Sequence, residues 1–277
     1  MSAIQDQRDF YANFIVRSSG SSDEHLIAAF ASTKREHYVG AGPWSIFVGS
    51  GYIPTPSDDP RLLYQDVLVG LATDRGINNG QPSLHARCLA ACAPAPGEAV
   101  VHIGAGTGYY TALLAALVGN TGNVLAYEIE ADLAERAREN LSALANVRVV
   151  NASAAQADLQ NADLIYVSAG ATHPLDAWLD ALNIGGRLIF PLTPEEGLGA
   201  MLLVTRRAAS SYAASIVMRV AFIPCIGARD KAASTALNAA LETQSIKSVK
   251  SLRRDVSPDG TAWCVGKGWW LSTADPP

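Results

Sequence analysis

The chain has 277 residues, a formal net charge of −5, 49% hydrophobic residues and 17% charged residues. That length allows one large domain or one domain with additions, and that composition supports a sizeable core and excludes global disorder. No Lys/Arg block speaks for nucleic acid, no 18-residue apolar run speaks for a membrane span, and the N-terminus shows no apolar leader, so a soluble cytoplasmic protein is expected.

The first 60 residues read as a preface. "RDFYANFIV" places Phe10, Phe14 and Ile15 at helical spacing. "SSDEHLIAAFAS" has Ser21 followed three residues later by Glu24, the pattern of a capping box before an apolar run. "VGAGPWSIFVGSGYIPTPSDDP" is rich in Gly, Pro and Ser and reads as a long loop with one short strand, long enough between Gly40 and Pro60 to act as a lid. From about residue 83 the texture changes: "SLHARCLAACA" is helical, "GEAVVHIGAG" is a buried strand ending in a glycine turn, and "YYTALLAALVG" is a helix stopped at Gly119. Strand "NVLAYEIE", helix "ADLAERARENLSAL", strand "VRVVNAS", strand "ADLIYVSAG", helix "PLDAWLDAL" and strand "GGRLIFPLT" follow. "GAMLLVTRR" and "SIVMRVAFIPCI" are two further strands without a helix between them.

Strands alternating with helices predict a doubly wound, mostly parallel α/β sheet, here of seven strands, with the last two forming an antiparallel pair at one edge. The chain divides into a helical and loop addition (residues 1–82), a central domain (83–227) and a C-terminal extension (228–277) with a helix-like "KAASTALNAALE" and a tail "WCVGKGWWLS". Cys88, Cys92, Cys225 and Cys264 form no C-x-x-C pair, which suits reduced thiols and gives no metal site.

Ligands of such sheets sit at the carboxyl ends of the strands, where glycines allow a tight turn and close backbone approach. Gly104, Gly106 and Gly108 give G-x-G-x-G, and Tyr109 stands where the dinucleotide fingerprint has its third glycine. That weakens a nicotinamide reading. Glu128 ends the next strand at the distance, roughly 20 residues on, expected of a carboxylate that accepts ribose hydroxyls. A nucleoside without a phosphate, held by a glycine turn and one carboxylate, points to S-adenosylmethionine.

The segment "GQPSLHARCLAACAPAPGEAVVHIGAGTGYYTALLAALVG", continued by "YEIEADLAERARENL", "VSAG", "GGRLIFPL" and "VAFIPCIG", resembles the protein-L-isoaspartate O-methyltransferases. Upstream, "STKREHYVG" and "LYQDVLV" resemble the family's lead-in, so the likeness runs from about Ala28 to Gly227. The resemblance implies a Rossmann-like S-adenosyl-L-methionine-dependent methyl transfer to a carboxylate on an isoaspartyl residue of damaged protein. The sulfonium donor is already reactive and the acceptor already ionised, so no general base is needed and rate comes from alignment and exclusion of water. It implies cofactor contacts from Ile103, Gly104, Ala105, Gly106, Thr107, Gly108, Tyr109, Thr111, Glu128, Ile129, Ala152, Ser153 and Ser168, and acceptor-side roles for Gly80, Gln81, Ser83 and His173.

Two departures matter. Where the family has T-I-S-Q-P, this chain reads "NNGQP", which puts Gly80 on the hydroxyl position, with Ser83 able to supply a hydroxyl from a shifted one. Where the family has G-D-G, Asn151, Ala152 and Ser153 stand, leaving adenine recognition to Ser153, to the Asn151 side chain or to backbone groups. His102 inside a buried strand reads as a core histidine, and His85 as a helix packing or surface residue with acceptor contact as the alternative. His173 follows the fourth strand at the expected rim of the site. Thr111 reads as a contact for the methionine carboxylate or as a capping hydroxyl. Tyr64 and Asp66 line the pocket or lie in a surface loop, and Trp263, Trp269 and Trp270 read as a packed tail. The partner is a peptide or protein carboxylate, with another small-molecule acceptor or a non-catalytic interaction module as rivals, and the oligomeric state stays open.

Overall fold

A computed structural model of the chain describes residues 3–155 and 157–277. They divide into two units, the first made of the described residues up to Glu98 with Ala105–Asn151, the second of Ala99–Gly104 with the described residues from Ala152 to Pro277.

The first unit opens with helices α1 (Ala3–Ser18) and α2 (Glu24–Ser32). α1 buries Arg8, Tyr11, Ala12, Ile15 and Val16, while Phe10 and Phe14 are 72% and 53% exposed and stack on each other. The apolar face is therefore turned by one residue from the one suggested by Phe10 and Phe14. Tyr11 decides the turn, because its ring packs edge-on against both Phe30 and Tyr64. The cap of α2 also differs from the expected Ser21: Asp23 accepts from the backbone N–H groups of His25 and Leu26, and Ser21 Oγ accepts from Asp23 N.

The expected long loop contains two strands rather than one. β1 (Ser45–Phe47) and β2 (Tyr52–Pro54) form a hairpin, and β3 (Gly70–Ala72) and β4 (Ile77–Asn78) form a second. An antiparallel bridge from Ile46 to Val69 joins them over a small core of Val39, Trp44, Leu63 and Val69, against which Ile46 and Leu71 pack. Helix α3 (Pro82–Cys92) follows, and then, after β5 (Ala99–Ile103), which belongs to the second unit, come helix α4 (Tyr109–Val118), strand β6 (Asn123–Glu128), helix α5 (Ala131–Leu141) and strand β7 (Val147–Asn151). β6 and β7 pair in parallel from Val124↔Val147 to Glu128↔Asn151.

In the second unit β5 is joined by β8 (Ala162–Val167), helix α6 (Asp176–Asp180), β9 (Leu182–Leu192), β10 (Gly199–Ala208), β11 (Ser211–Val220), helix α7 (Lys231–Thr243), β12 (Ser251–Arg254), β13 (Ala262–Gly266) and β14 (Trp269–Ser272). Its strands lie in the order β13-β14-β12-β11-β10-β9-β8-β5. β5, β8 and β9 are parallel and the rest antiparallel. The buried run of β5 carries His102, whose imidazole is pushed down to about 3 by burial and so stays neutral, 3.2 Å from Ser168 Oγ.

β5 to β11 are the seven strands expected from the sequence. The expected antiparallel edge is displaced, because β12, β14 and β13 continue the sheet beyond β11. Three tryptophans of this tail are buried, Trp263, Trp269 and Trp270, the last two on opposite faces of β14. Two of them have their indole N–H groups satisfied, Trp263 on Ser245 O and Trp270 on Val256 O. Arg254 ties β12 to α6 through Asp176 at 2.9 Å and Asp180 at 2.7 Å. All four cysteines are buried thiols, and burial pushes Cys225 up to about 11 and Cys264 up to about 12. Among the described residues no helix is long and apolar enough to cross a membrane, and no group of three or more His, Cys, Asp and Glu is placed to hold a metal.

Leu252 is fully buried at the junction of β11 and β14. Leu252→Ala should cost about 2–5 kcal/mol in urea unfolding if the tail folds as part of this sheet. A cost below about 0.5 kcal/mol would show that the tail opens independently.

Candidate active site

The glycine turn is shaped by three residues in the left-handed region. In the second unit Gly104 has φ +79°, and a side chain there would meet the Ser168 backbone at 3.5 Å. In the first unit Gly106 has φ +56° and Gly108 has φ +100°. Gly108 is the N-cap of α4, and a Cβ on it would lie 2.7 Å from Leu141 Cδ1 on α5. The third glycine comes early because it serves the start of α4 and the packing of α5, not a pyrophosphate.

Glu128, at the end of β6, folds back on this turn. Its Oε2 accepts from Gly106 N at 2.6 Å and its Oε1 from Glu130 N at 3.0 Å. Burial raises its pKa, and the N–H groups of Glu130 and Gly106 pull it down. A carboxylate offers about four lone-pair sites, more than these backbone donors fill. Asn151 Nδ2 donates to the carbonyls of Glu128 (2.9 Å) and Ile129 (3.0 Å), which fixes the strand end. The donors of Asn151 are thus spent on backbone, which removes them from adenine recognition. Asn140 Nδ2 donates to Thr107 O at 2.9 Å and braces the turn from α5. Thr107 Oγ1 is buried with no hydrogen-bond partner. Ile129 leaves its side chain 40% exposed. Tyr109 and Thr111 have buried side chains, and the Tyr109 ring packs on Tyr38 and Tyr110 with centroids 5.7 and 5.0 Å away.

The acceptor-side candidates form a second cluster in the first unit. Asp66 is its hub: Oδ1 accepts from Ser83 N at 2.8 Å, and Oδ2 accepts from Ser83 Oγ at 2.6 Å and Gln81 Nε2 at 2.8 Å. The Ser83 hydroxyl thereby spends its proton on Asp66. Gly80 has φ +74°, its N–H donates to Asn78 Oδ1 at 2.9 Å and its carbonyl accepts from Tyr110 OH at 3.3 Å. A Cβ on Gly80 would lie 2.3 Å from His85 Nε2, so a side chain there runs into His85 and not into open space. His85 is a packing residue, buried and stacked on Tyr110 at 3.6 Å. Tyr64 is buried too, accepting from Arg8 Nε and donating to Glu36.

Sequence reasoning passed over Arg35. It is fully buried and donates to the carbonyls of Leu63 (2.6 Å), Gln65 (2.9 Å) and Val67 (2.6 Å) and more weakly to Asn79 Oδ1 (3.4 Å). It therefore holds the loop that carries Asp66. An arginine inside "STKREHYVG" is a polar residue in a polar stretch, and nothing in the local pattern marks it as interior.

The second unit holds the remaining candidates. Ile103 is buried at the end of β5 and its carbonyl accepts from Ser168 N at 2.8 Å. Ala152 is half-buried, and Ser153 Oγ makes a long contact of 3.5 Å to Ile226 O. His173 is half-buried, its Nδ1 3.0 Å from Thr172 Oγ1. Burial lowers its pKa and the nearby carboxylates of Asp230 and Asp176 oppose that.

Comparison with known proteins places the chain in a family. The family model described as Protein-L-isoaspartate(D-aspartate) O-methyltransferase (PCMT) matches residues 15–230, a longer stretch than the likeness read from motifs. A protein-L-isoaspartate O-methyltransferase of Methylorubrum populi is 31% identical over 75% of this chain and 89% of its own length. One from Methanothermobacter thermautotrophicus is 31% identical over 62% of this chain and 80% of its own. The fold matches that of a protein-L-isoaspartate O-methyltransferase with a TM-score of 0.67 at 20% identity over 97% of this chain and 86% of that one. It also matches a Plasmodium falciparum member of the family solved with S-adenosyl-L-homocysteine, with a TM-score of 0.64 at 19% identity over 79% of this chain and 98% of that one. The α/β sheet with its parallel central strands is the methyltransferase fold, and the chain belongs to the protein-L-isoaspartate(D-aspartate) O-methyltransferase family.

Proposed function

We propose that this chain transfers the methyl group of S-adenosyl-L-methionine to the side-chain carboxylate of an isoaspartyl residue in a peptide or protein. The observation that carries the proposal is the Glu128 carboxylate drawn onto Gly106 N, in a chain of this family. The residues present fit the cofactor: Glu128 keeps acceptor capacity for a ribose hydroxyl, and Thr107 Oγ1 is a buried hydroxyl still without a partner. When bound, the cofactor supplies a sulfonium-activated methyl group.

The chain's own residues bind and align. Ala105 to Gly108 offer backbone without side-chain bulk at Gly106, Glu128 grips the sugar, and Ile129 covers one face of the base with its exposed apolar side chain. The acceptor is a carboxylate, ionised at neutral pH, so no residue has to remove a proton. Gly80 and Gln81 form the acceptor wall, held by Asp66 and Tyr110. Rate then comes from orientation and water exclusion.

Incubation with labelled S-adenosyl-L-methionine and an isoaspartyl peptide should give a base-labile methyl ester. Labelling of other acceptors with none on that peptide would leave the methyltransferase reading and overturn the isoaspartyl one. Glu128→Gln should weaken S-adenosyl-L-homocysteine binding about ten- to a hundredfold, the worth of charged hydrogen bonds to a buried carboxylate. The ionised carboxylate is the better acceptor for hydroxyls, and burial raises its pKa. Affinity should therefore rise with pH through the Glu128 titration and then level off, and Glu128→Gln should abolish that slope in calorimetry. Gly80→Ser should lower activity rather than restore a hydroxyl, since it meets both the left-handed backbone and His85; an increase would show that the His85 ring moves aside.

A further inference from the structure

The two hairpins β1–β2 and β3–β4 form a folded piece with its own small core, and that piece reaches the cofactor side at two points. The first is apolar. Leu71, on β3, places Cδ1 3.4 Å from where a Cβ of Gly106 would be, so its side chain lies directly on the glycine turn. The second is ionic. Arg75, in the turn between β3 and β4, spans the chain that leads from Glu128 into α5. Its Nη1 and Nη2 donate to Asp132 Oδ1 at 3.0 Å and Oδ2 at 2.6 Å, and Nη1 donates also to Glu130 Oε2. Glu130 is the residue whose backbone N–H is bonded to Glu128 Oε1. One hairpin thus lies against Gly106 through Leu71 and reaches Glu128 indirectly, through Glu130.

The two contacts differ in kind. Leu71 is anchored by packing against Val39, Trp44, Leu63 and Val69. The Arg75 pairs lie at the surface, with the arginine side chain 36% exposed, where ion pairs are individually weak and screened by salt. A cover fixed by packing at one end and by exposed charges at the other opens at the charged end first.

We propose that Leu71 and Arg75 make the β3–β4 hairpin a strap over the glycine turn, with Arg75 as a positioning residue that sets how fast S-adenosyl-type cofactors leave. Arg75 acts through Glu130 and Asp132 and does not touch the cofactor. The proposal rests on the cofactor reading given above. It explains why a bidentate arginine joins this hairpin to the residues that follow Glu128.

The test is the release rate of S-adenosyl-L-homocysteine from the full-length protein, measured by stopped-flow competition at low salt and at about 0.5 M NaCl, where screening extends only a few ångströms. At low salt Arg75→Gln should release about three- to tenfold faster than the unaltered protein, as expected for loss of two exposed ion pairs. Salt should speed release from the unaltered protein by a similar factor and leave Arg75→Gln nearly unchanged. Arg75→Lys should restore part of the effect, and Leu71→Ala should speed release at both salt concentrations. The Tm of Arg75→Gln should stay within about 2 °C of the parent, because the pairs are exposed. Equal release from Arg75→Gln and the parent, or the same salt dependence in both, would overturn the strap while leaving the cofactor reading intact. Failure of the unaltered protein to bind S-adenosyl-L-homocysteine would overturn the cofactor reading, and the strap with it.

Discussion

A buried carboxylate has to be satisfied, and in this protein that requirement organises the ligand end of the first unit. Glu128 is 6% exposed at the end of a buried strand. Left without donors it would cost several kcal/mol or take up a proton. Gly106 N and Glu130 N supply the donors, and both have to be aimed. Gly106 is aimed by a turn that only glycine enters easily, and Glu130 by the start of α5. Asn151 holds the carbonyls on either side of the Glu128–Ile129 peptide, so the adjacent strand sets the height of the carboxylate. The carboxylate is thus fixed in place before any ligand arrives.

The acceptor segment follows a different logic. Many of its polar groups bond one another: Asp66 with Gln81 and Ser83, Asn78 and Tyr110 with the two sides of Gly80. The loop that carries Asp66 is in turn hung on the Arg35 guanidinium through three carbonyls. Shape, more than reactive groups, is what this segment presents. That fits a reaction whose donor and acceptor arrive already activated, and it places the burden on geometry.

The central strands and the glycine turn are legible in the sequence because they obey periodic or compositional rules: buried parallel strands read as unbroken apolar runs, and a G-x-G-x-G turn between strand and helix has few other meanings. Glu128 is legible by its spacing. What escapes the sequence depends on which neighbour wins a contact. The inward face of α1 is chosen by Tyr11 against Phe30 and Tyr64, although Phe10 and Phe14 are the more apolar residues. Asp23 and Ser21 both suit a helix cap, and one residue of backbone direction decides between them. The consequence of a glycine at position 80 lies in the direction its Cβ would take, toward His85, five residues away in sequence and reached only once α3 has turned. The tail strands are too short for periodicity to speak, and their tryptophans reveal only that something is buried there.

The deep placement of the thiols carries one further consequence. Thiolate, not thiol, reacts with alkylating reagents and oxidants, and at Cys225 and Cys264 burial holds the proton firmly on sulfur. Each can be modified only when its surroundings part. Cys264 sits on β13 in the added strands and Cys88 on α3 in the other unit, so the protein carries built-in clocks in both units, whose modification times record how often each part of the native chain breathes.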